Sequence, residues 1–292
     1  MSEMNFSDSI FVLLLFSTFR LSLPLVLTAV GGYFSEKSGV AQIGLEAFLL
    51  IGAFTASSVT YLSGSLFYGY ISAALASLLM AQLFCFLVLK LRANAIVIGT
   101  GLNLFVIGLI PLIGKVLFDS TGSTPTIPTF DNTLIYPMVT LVLALGLSYY
   151  LSEKTIWGLQ VKFAGEKQDA LSAIGVNFDT RRWQAVSYGA FVTGLAGAIL
   201  STYLSSSYSP LMSAGRGYIA LAAIIFAGWD LRRTILISLF FGFFEALQIQ
   251  AQSNQAVSSL IPGEFIQMIP YLITLLALLF FKSKRQAPKE LK

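Results

Sequence analysis

Few side chains in this sequence can do chemistry, and those that can stand inside apolar stretches. Glu46 lies one turn into the apolar run 42–62, with Gln42 four residues before it. Asn103 sits in Gly99-Thr-Gly-Leu-Asn-Leu, and Glu245 and Gln248 share a helix face in Phe244-Glu-Ala-Leu-Gln. A carboxylate or amide in an apolar environment needs a partner, water or a solute, so these five residues are the candidates for lining a path through a membrane. Each has a structural alternative. An Asn between packed helices commonly bonds its neighbour, at roughly 1 kcal/mol, and Glu46 could pair with a basic residue such as Arg20 in the first apolar region. Glu36 and Lys37 could likewise pair in an ordinary turn.

Catalytic and metal chemistry is not expected. The chain has no His and one Cys, Cys85, inside an apolar run. It has no nucleophile with an adjacent base and no carboxylates at ligand spacing, so no catalytic and no metal-binding residue is assigned. A Gly-x-x-x-x-Gly-Lys-[Ser/Thr] phosphate loop is missing too, so no cofactor is expected in this chain.

A different kind of site is written in the polar segment 153–183. Within it, Glu166-Lys-Gln-Asp-Ala-Leu-Ser-Ala-Ile reads as a short amphipathic helix. Ala170, Leu171, Ile174 and Ala173 form its apolar side, and Glu166 and Asp169 stand at the N-terminal end, where the helix dipole favours acids. Gly165 and Gly175 punctuate its two ends. A helix lying on lipid would carry a Lys/Arg-rich face and bulky anchors; this one has neither, which favours docking into a cytoplasmic partner.

The elements that must position these residues are membrane spans. Hydrophobic residues are 56% of the chain, charged residues 11%, and mean hydropathy is +0.78, a balance incompatible with a fully hydrated surface. Uninterrupted apolar windows predict an all-α bundle of about nine spans (8–10) near 10–33, 42–62, 66–90, 96–118, 134–152, 184–205, 217–231, 234–253 and 264–281. This is one transmembrane domain over 1–292. The stretch 10–16 follows Glu3 and Asp8 where a cleaved signal would carry Lys or Arg, so it is expected to be retained. Threading nine spans puts all but Arg20, Lys115 and Arg216 of the 18 basic residues on one side, which predicts the N-terminus outside and the C-terminus cytoplasmic. The same topogenic loops account for the net charge of +4, so no nucleic-acid partner is expected. Glycines and charges break the first apolar region at 31–39, and such breaks mark translocation paths when they lie at membrane depth. Gly189, Thr193, Gly194 and Gly197 recur at helical spacing, a pattern for close packing. A weak internal similarity relates 47–63 to 190–205.

Four stretches then carry a resemblance. They are the run 27–54 around Gly31-Gly-Tyr-Phe-Ser-Glu-Lys-Ser-Gly, Leu91-Arg-Ala-Asn-Ala-Ile-Val-Ile-Gly-Thr-Gly-Leu-Asn-Leu, Ala164-Gly-Glu-Lys-Gln-Asp-Ala-Leu-Ser-Ala-Ile-Gly-Val-Asn, and Ala214-Gly-Arg-Gly-Tyr-Ile-Ala-Leu-Ala-Ala-Ile-Ile-Phe-Ala-Gly-Trp. In this order they resemble the permease subunits of bacterial ABC importers for simple sugars, nucleosides and branched-chain amino acids, most of all the short nucleoside-type permease. Gln42 stands where members often have Asn, Ala47 where they often have Gly, and Asp230-Leu-Arg-Arg replaces a less charged turn. The resemblance implies a multi-pass protein of the bacterial inner membrane, taking up a nucleoside-like or simple-sugar-like solute, or riboflavin. It implies that Gly165, Glu166, Lys167, Asp169, Ala170 and Gly175 form a coupling helix seated in an ABC ATPase, which would bind ATP-Mg. A second, longer permease in a heterodimer and an extracytoplasmic substrate-binding protein are the other implied partners, beside membrane lipid. An ion-coupled carrier using Glu46 or Glu245 is the alternative from the residues alone.

Overall fold

In a computed structural model, residues 6–127, 134–253, 265–266, 268–269, 272 and 287–291 are described, with side chains from Val12 onward. The described residues are all-helical: α1 (Phe6–Lys37), α2 (Leu45–Ser63), α3 (Leu66–Cys85), α4 (Ala95–Phe118), α5 (Ile135–Lys154), α6 (Ile156–Glu166), α7 (Gln168–Ala173), α8 (Phe178–Ala198), α9 (Arg216–Phe226) and α10 (Leu231–Ser253). Turns of π-type extend α3 through Phe86–Lys90 and α8 through Ile199–Leu204. Among the described residues, seven helices are long and apolar enough to cross a bilayer: α1, α2, α3, α4, α5, α8 and α10. The chain is a multi-pass membrane protein. The ninth expected span, 264–281, lies largely outside the described residues.

Polar caps mark several starts. Asn94 Oδ1 accepts from the backbone N–H groups of Ile96 and Val97 (2.9 and 3.2 Å), and Asn177 Oδ1 from those of Asp179 and Thr180. The Asn177 cap is why α8 begins six residues ahead of its expected position.

α2 and α8 are the centre of the bundle, each buried along most of its length, and the weak internal similarity falls on these two. The small residues of α8 are where three helices meet it. A Cβ on Gly31 of α1 would lie 2.4 Å from Gly189 O, one on Gly194 2.6 Å from Ala73 O of α3, and one on Gly197 2.4 Å from Leu49 O of α2. Backbones approach this closely only where side chains are missing.

The expected span 217–231 is not formed as such. α9 has 11 residues, about 16 Å at 1.5 Å per residue, half of a bilayer core about 30 Å thick. The chain before it, 205–215, is non-helical and runs alongside α2. Its first part is bonded to Ser57 and Thr124: Tyr208 N donates to both hydroxyls (3.1 and 2.9 Å), while Tyr208 O and Ser206 O accept from Thr124 N and Ile127 N. Its last part reaches Glu46, eleven residues from Ser57 along α2, about 16 Å. Irregular backbone is tolerated at such depth because protein groups satisfy it. Left-handed turns at Leu211, Ala214 and Gly215 bring the chain into α9.

Candidate functional site

Two buried helix starts converge on one polar cluster. α9 begins at Gly215-Arg216-Gly217 with no capping side chain of its own. The missing acceptor is Glu46, reaching across from α2: its Oε1 accepts from Ser213 Oγ and from Gly215 N (3.0 Å), and its Oε2 from Gly217 N (2.7 Å). A carboxylate against the positive end of a helix is stabilised by charge-assisted bonds and by the dipole. Gly217 must be glycine here, because a Cβ would stand 2.6 Å from both Glu46 N and Glu46 Oε2. α2 likewise starts at Gly44 without a side-chain cap. Asn103 of α4 supplies it: Oδ1 accepts from Ala47 N (2.9 Å), while Nδ2 donates to Ile43 O (3.0 Å) and Tyr218 Oη (2.9 Å). The first residue of α9, Arg216, forms a largely buried ion pair with Glu245 of α10.

The structure therefore gathers Glu46, Asn103 and Glu245 around the start of α9. Gln42 is close by and fully buried, with neither amide atom partnered among the described residues. Gln248 is partly buried one turn beyond Glu245 and, among the described residues, makes no side-chain bond to the network. Arg20 is not the partner of Glu46: it stacks over Tyr203 and donates to Tyr203 O and Leu204 O. Glu36 and Lys37 do not pair with each other either. Glu36 is buried and accepts from Gln42 N (2.8 Å) and Trp229 Nε1 (3.1 Å), tying the α1–α2 turn to the turn after α9. Lys37 faces Glu166 at 3.4 Å.

That last contact belongs to a second assembly. The expected helix over 166–174 is two elements: Gly165 and Glu166 close α6, Lys167 breaks the chain, and α7 carries Asp169 and Ala170 in its first turn. α6 was not foreseen; Thr155 caps it by accepting from Gly158 N (3.1 Å). Gly175 ends the segment at φ +74°. Of the expected apolar side, Leu171 is buried within the chain, whereas Ala170, Ala173 and Ile174 face outward, Ile174 being 68% exposed. The α6–α7 joint sits directly on the α1–α2 turn. A Cβ on Gly165 would be 2.3 Å from Lys37 O and 3.0 Å from Gly39 N. Arg182 of α8 clamps both sides, its Nε donating to Ser38 O (3.1 Å) and its Nη2 to Ala164 O (2.9 Å). One turn, 37–44, thus touches the α6–α7 joint at one end and leads into the caps of α2 and α9 at the other.

Ser213, Arg216, Tyr218, Trp229 and Arg182 escaped the sequence reading. Arg216 did carry a signal: it is a basic residue on the side otherwise nearly free of positive charge, with a carboxylate in the next helix. Tyr218 carried none.

The family model described as "Branched-chain amino acid transport system / permease component" matches residues 14–278. The chain is similar to the nucleoside ABC transporter permease protein NupC of Lactococcus lactis, with 31% identity covering 92% of each chain. It is 30% identical to the guanosine ABC transporter permease protein NupQ of Bacillus subtilis, covering 91% of each. It is 28% identical to the putative glucose ABC transporter permease protein TsgC13 of Haloferax volcanii, covering 91% of this chain and 90% of that one. No solved structure matches the chain.

Proposed function

Because this chain belongs to the family of branched-chain amino acid transport system permease components and is a permease subunit of an ABC importer, we propose that its solute is a nucleoside. The observation that carries this is its similarity, over more than nine tenths of both chains, to two permeases named for nucleoside and guanosine transport. The site supports it. The Tyr218 hydroxyl accepts from Asn103 and keeps its own proton to donate, and its ring is half-exposed, a combination suited to an uncharged, ring-bearing, polar solute. A simple sugar is the second reading, after the similarity to the Haloferax protein. Nothing among the relatives points to riboflavin. An ion-coupled carrier is disfavoured because both buried carboxylates it would use, Glu46 and Glu245, are already held by helix N–H groups and by Arg216.

In this reading the outward-facing apolar residues of 170–174 dock into a separate ABC ATPase, which binds ATP-Mg. ATP-driven movement of the α6–α7 joint passes through Gly165 and Arg182 to the 37–44 turn, and from there to the caps of α2 and α9. Solute passes beside α9, delivered by an extracytoplasmic binding protein, between this chain and a second, longer permease in the bacterial inner membrane, with the C-terminus cytoplasmic. The testing experiment coexpresses the chain with candidate ATPase, second-permease and binding-protein subunits and screens nucleosides, flavins and pentoses for stimulated ATP hydrolysis. Stimulation by nucleosides is expected; transport by this chain alone, without ATP, would sink the proposal. Glu166→Lys with Asp169→Lys is expected to abolish coupled uptake.

A further inference from the structure

The last described residues lie against the α6–α7 joint. Glu290 N donates to Gly165 O (2.9 Å), and Gln168 Nε2 donates to Glu290 Oε2 (2.6 Å). Gly165 is in the last turn of α6, where helix carbonyls have no partner in their own helix. Gln168 is the first residue of α7. One residue therefore bonds both helices across the break at Lys167. The same residue also borders the α1–α2 turn: the position a Gly39 side chain would take lies 3.1 Å from Glu290 Cβ and 3.2 Å from Arg182 Nη2. Around it the segment is fixed. Pro288 is buried, Leu291 N closes a turn on Pro288 O (3.0 Å), and Leu291 packs on the cluster containing Tyr33, Val161 and Trp229.

We propose that residues 288–291 are a brace for energy coupling, with Glu290 a positioning residue that holds α6 and α7 at a fixed angle against the α1–α2 turn. A one-residue break between short helices is a natural hinge. Without a cross-tie, movement imposed on α7 bends the chain at Lys167; with it, the joint and the 37–39 turn move as one body. The inference rests on the reading of 165–175 as the ATPase-docking segment, and it deepens that reading by naming what stiffens it.

The test uses the full chain in its assembled complex, comparing removal of 287–292, Glu290→Ala and Glu290→Gln for uptake per ATP hydrolysed. The truncation is expected to keep the ATPase bound and to lower this ratio about fivefold, the factor that roughly 1 kcal/mol of hydrogen bonding represents. Glu290→Ala, which keeps the backbone N–H, is expected to fall in between, and Glu290→Gln, whose amide oxygen still accepts from Gln168, to stay near wild type. A truncated chain with an unchanged ratio, or one that loses the ATPase altogether, overturns the brace. A second readout does not depend on transport: in the purified chain, truncation is expected to speed amide hydrogen exchange over 166–173 about tenfold. Unchanged exchange overturns the brace by itself. If instead the wild-type complex shows no solute-stimulated ATP hydrolysis while exchange does accelerate, the importer reading has failed and the brace has not.

Discussion

Replacing Glu46 by Gln separates a structural carboxylate from one that handles solute or protons. In the native chain the two carboxylate oxygens take three bonds, from Ser213 Oγ, Gly215 N and Gly217 N. An amide offers one acceptor oxygen and a donor –NH2 group. Whichever way it turns, the donor faces at least one backbone N–H, either Gly217 N or the Gly215 and Ser213 pair. Leaving one buried donor unsatisfied costs about 1–3 kcal/mol, and losing the negative charge at the start of α9 adds roughly 0.3–1 kcal/mol, up to about 2 in a buried geometry. The expected loss is therefore about 1–5 kcal/mol, seen as a lower thermal midpoint of the purified chain and as faster proteolysis around 205–217. Uptake should fall in parallel with the folded fraction and keep its dependence on pH. Full stability with abolished uptake, or a displaced pH profile, would refute the capping role and return Glu46 to the solute or proton path.

Other expectations follow from the same geometry. Asn103→Leu leaves Ala47 N and Ile43 O without their partner, so stability should drop by about 2–4 kcal/mol. Tyr218→Phe, which removes a single bond, should cost about 1 kcal/mol and act mainly on the KM for solute. Arg216→Leu alone should destabilise by about 3–5 kcal/mol by leaving the Glu245 carboxylate buried, whereas Arg216→Leu with Glu245→Leu should recover most of the loss; a double-mutant cycle on thermal midpoints checks this. Gly165→Val forces a side chain against Lys37 O, and overpacking of this kind costs about 1–3 kcal/mol. Its diagnostic effect should be lower uptake per ATP hydrolysed. Lys37→Ala removes a partly exposed ion pair and should change stability by less than about 1 kcal/mol.

The parts of this fold legible in the sequence are those with a short-range cause. Apolar length located the seven helices that, among the described residues, are long enough to cross a bilayer, and the Gly189, Thr193, Gly194 and Gly197 spacing located the helix onto which α1, α2 and α3 close. Buried carboxylates and amides also announced themselves by their cost, which is why Glu46, Asn103 and Glu245 could be singled out. Their partners could not. Glu46 is 167 residues from Ser213 and Asn103 is 115 from Tyr218, and no periodicity encodes which helix end each one caps. The same reason hid the shortening of α9: it begins where expected but ends at Phe226, because Gly228 and Trp229 turn left-handed and Trp229 is held by Glu36, 193 residues away. α6 was missed because Ile156 to Phe163 mixes apolar and charged residues in a segment read as connection, although Thr155 before Gly158 offered a capping signal.

We propose that this chain passes a nucleoside across the membrane under the control of a separate ATPase. The most direct measurement is uptake of radiolabelled guanosine into proteoliposomes containing the chain with its ATPase, second permease and binding protein. Uptake that requires ATP and is lost with Glu166→Lys and Asp169→Lys is the expected result. Guanosine uptake by this chain alone, indifferent to ATP and to those substitutions, would contradict it.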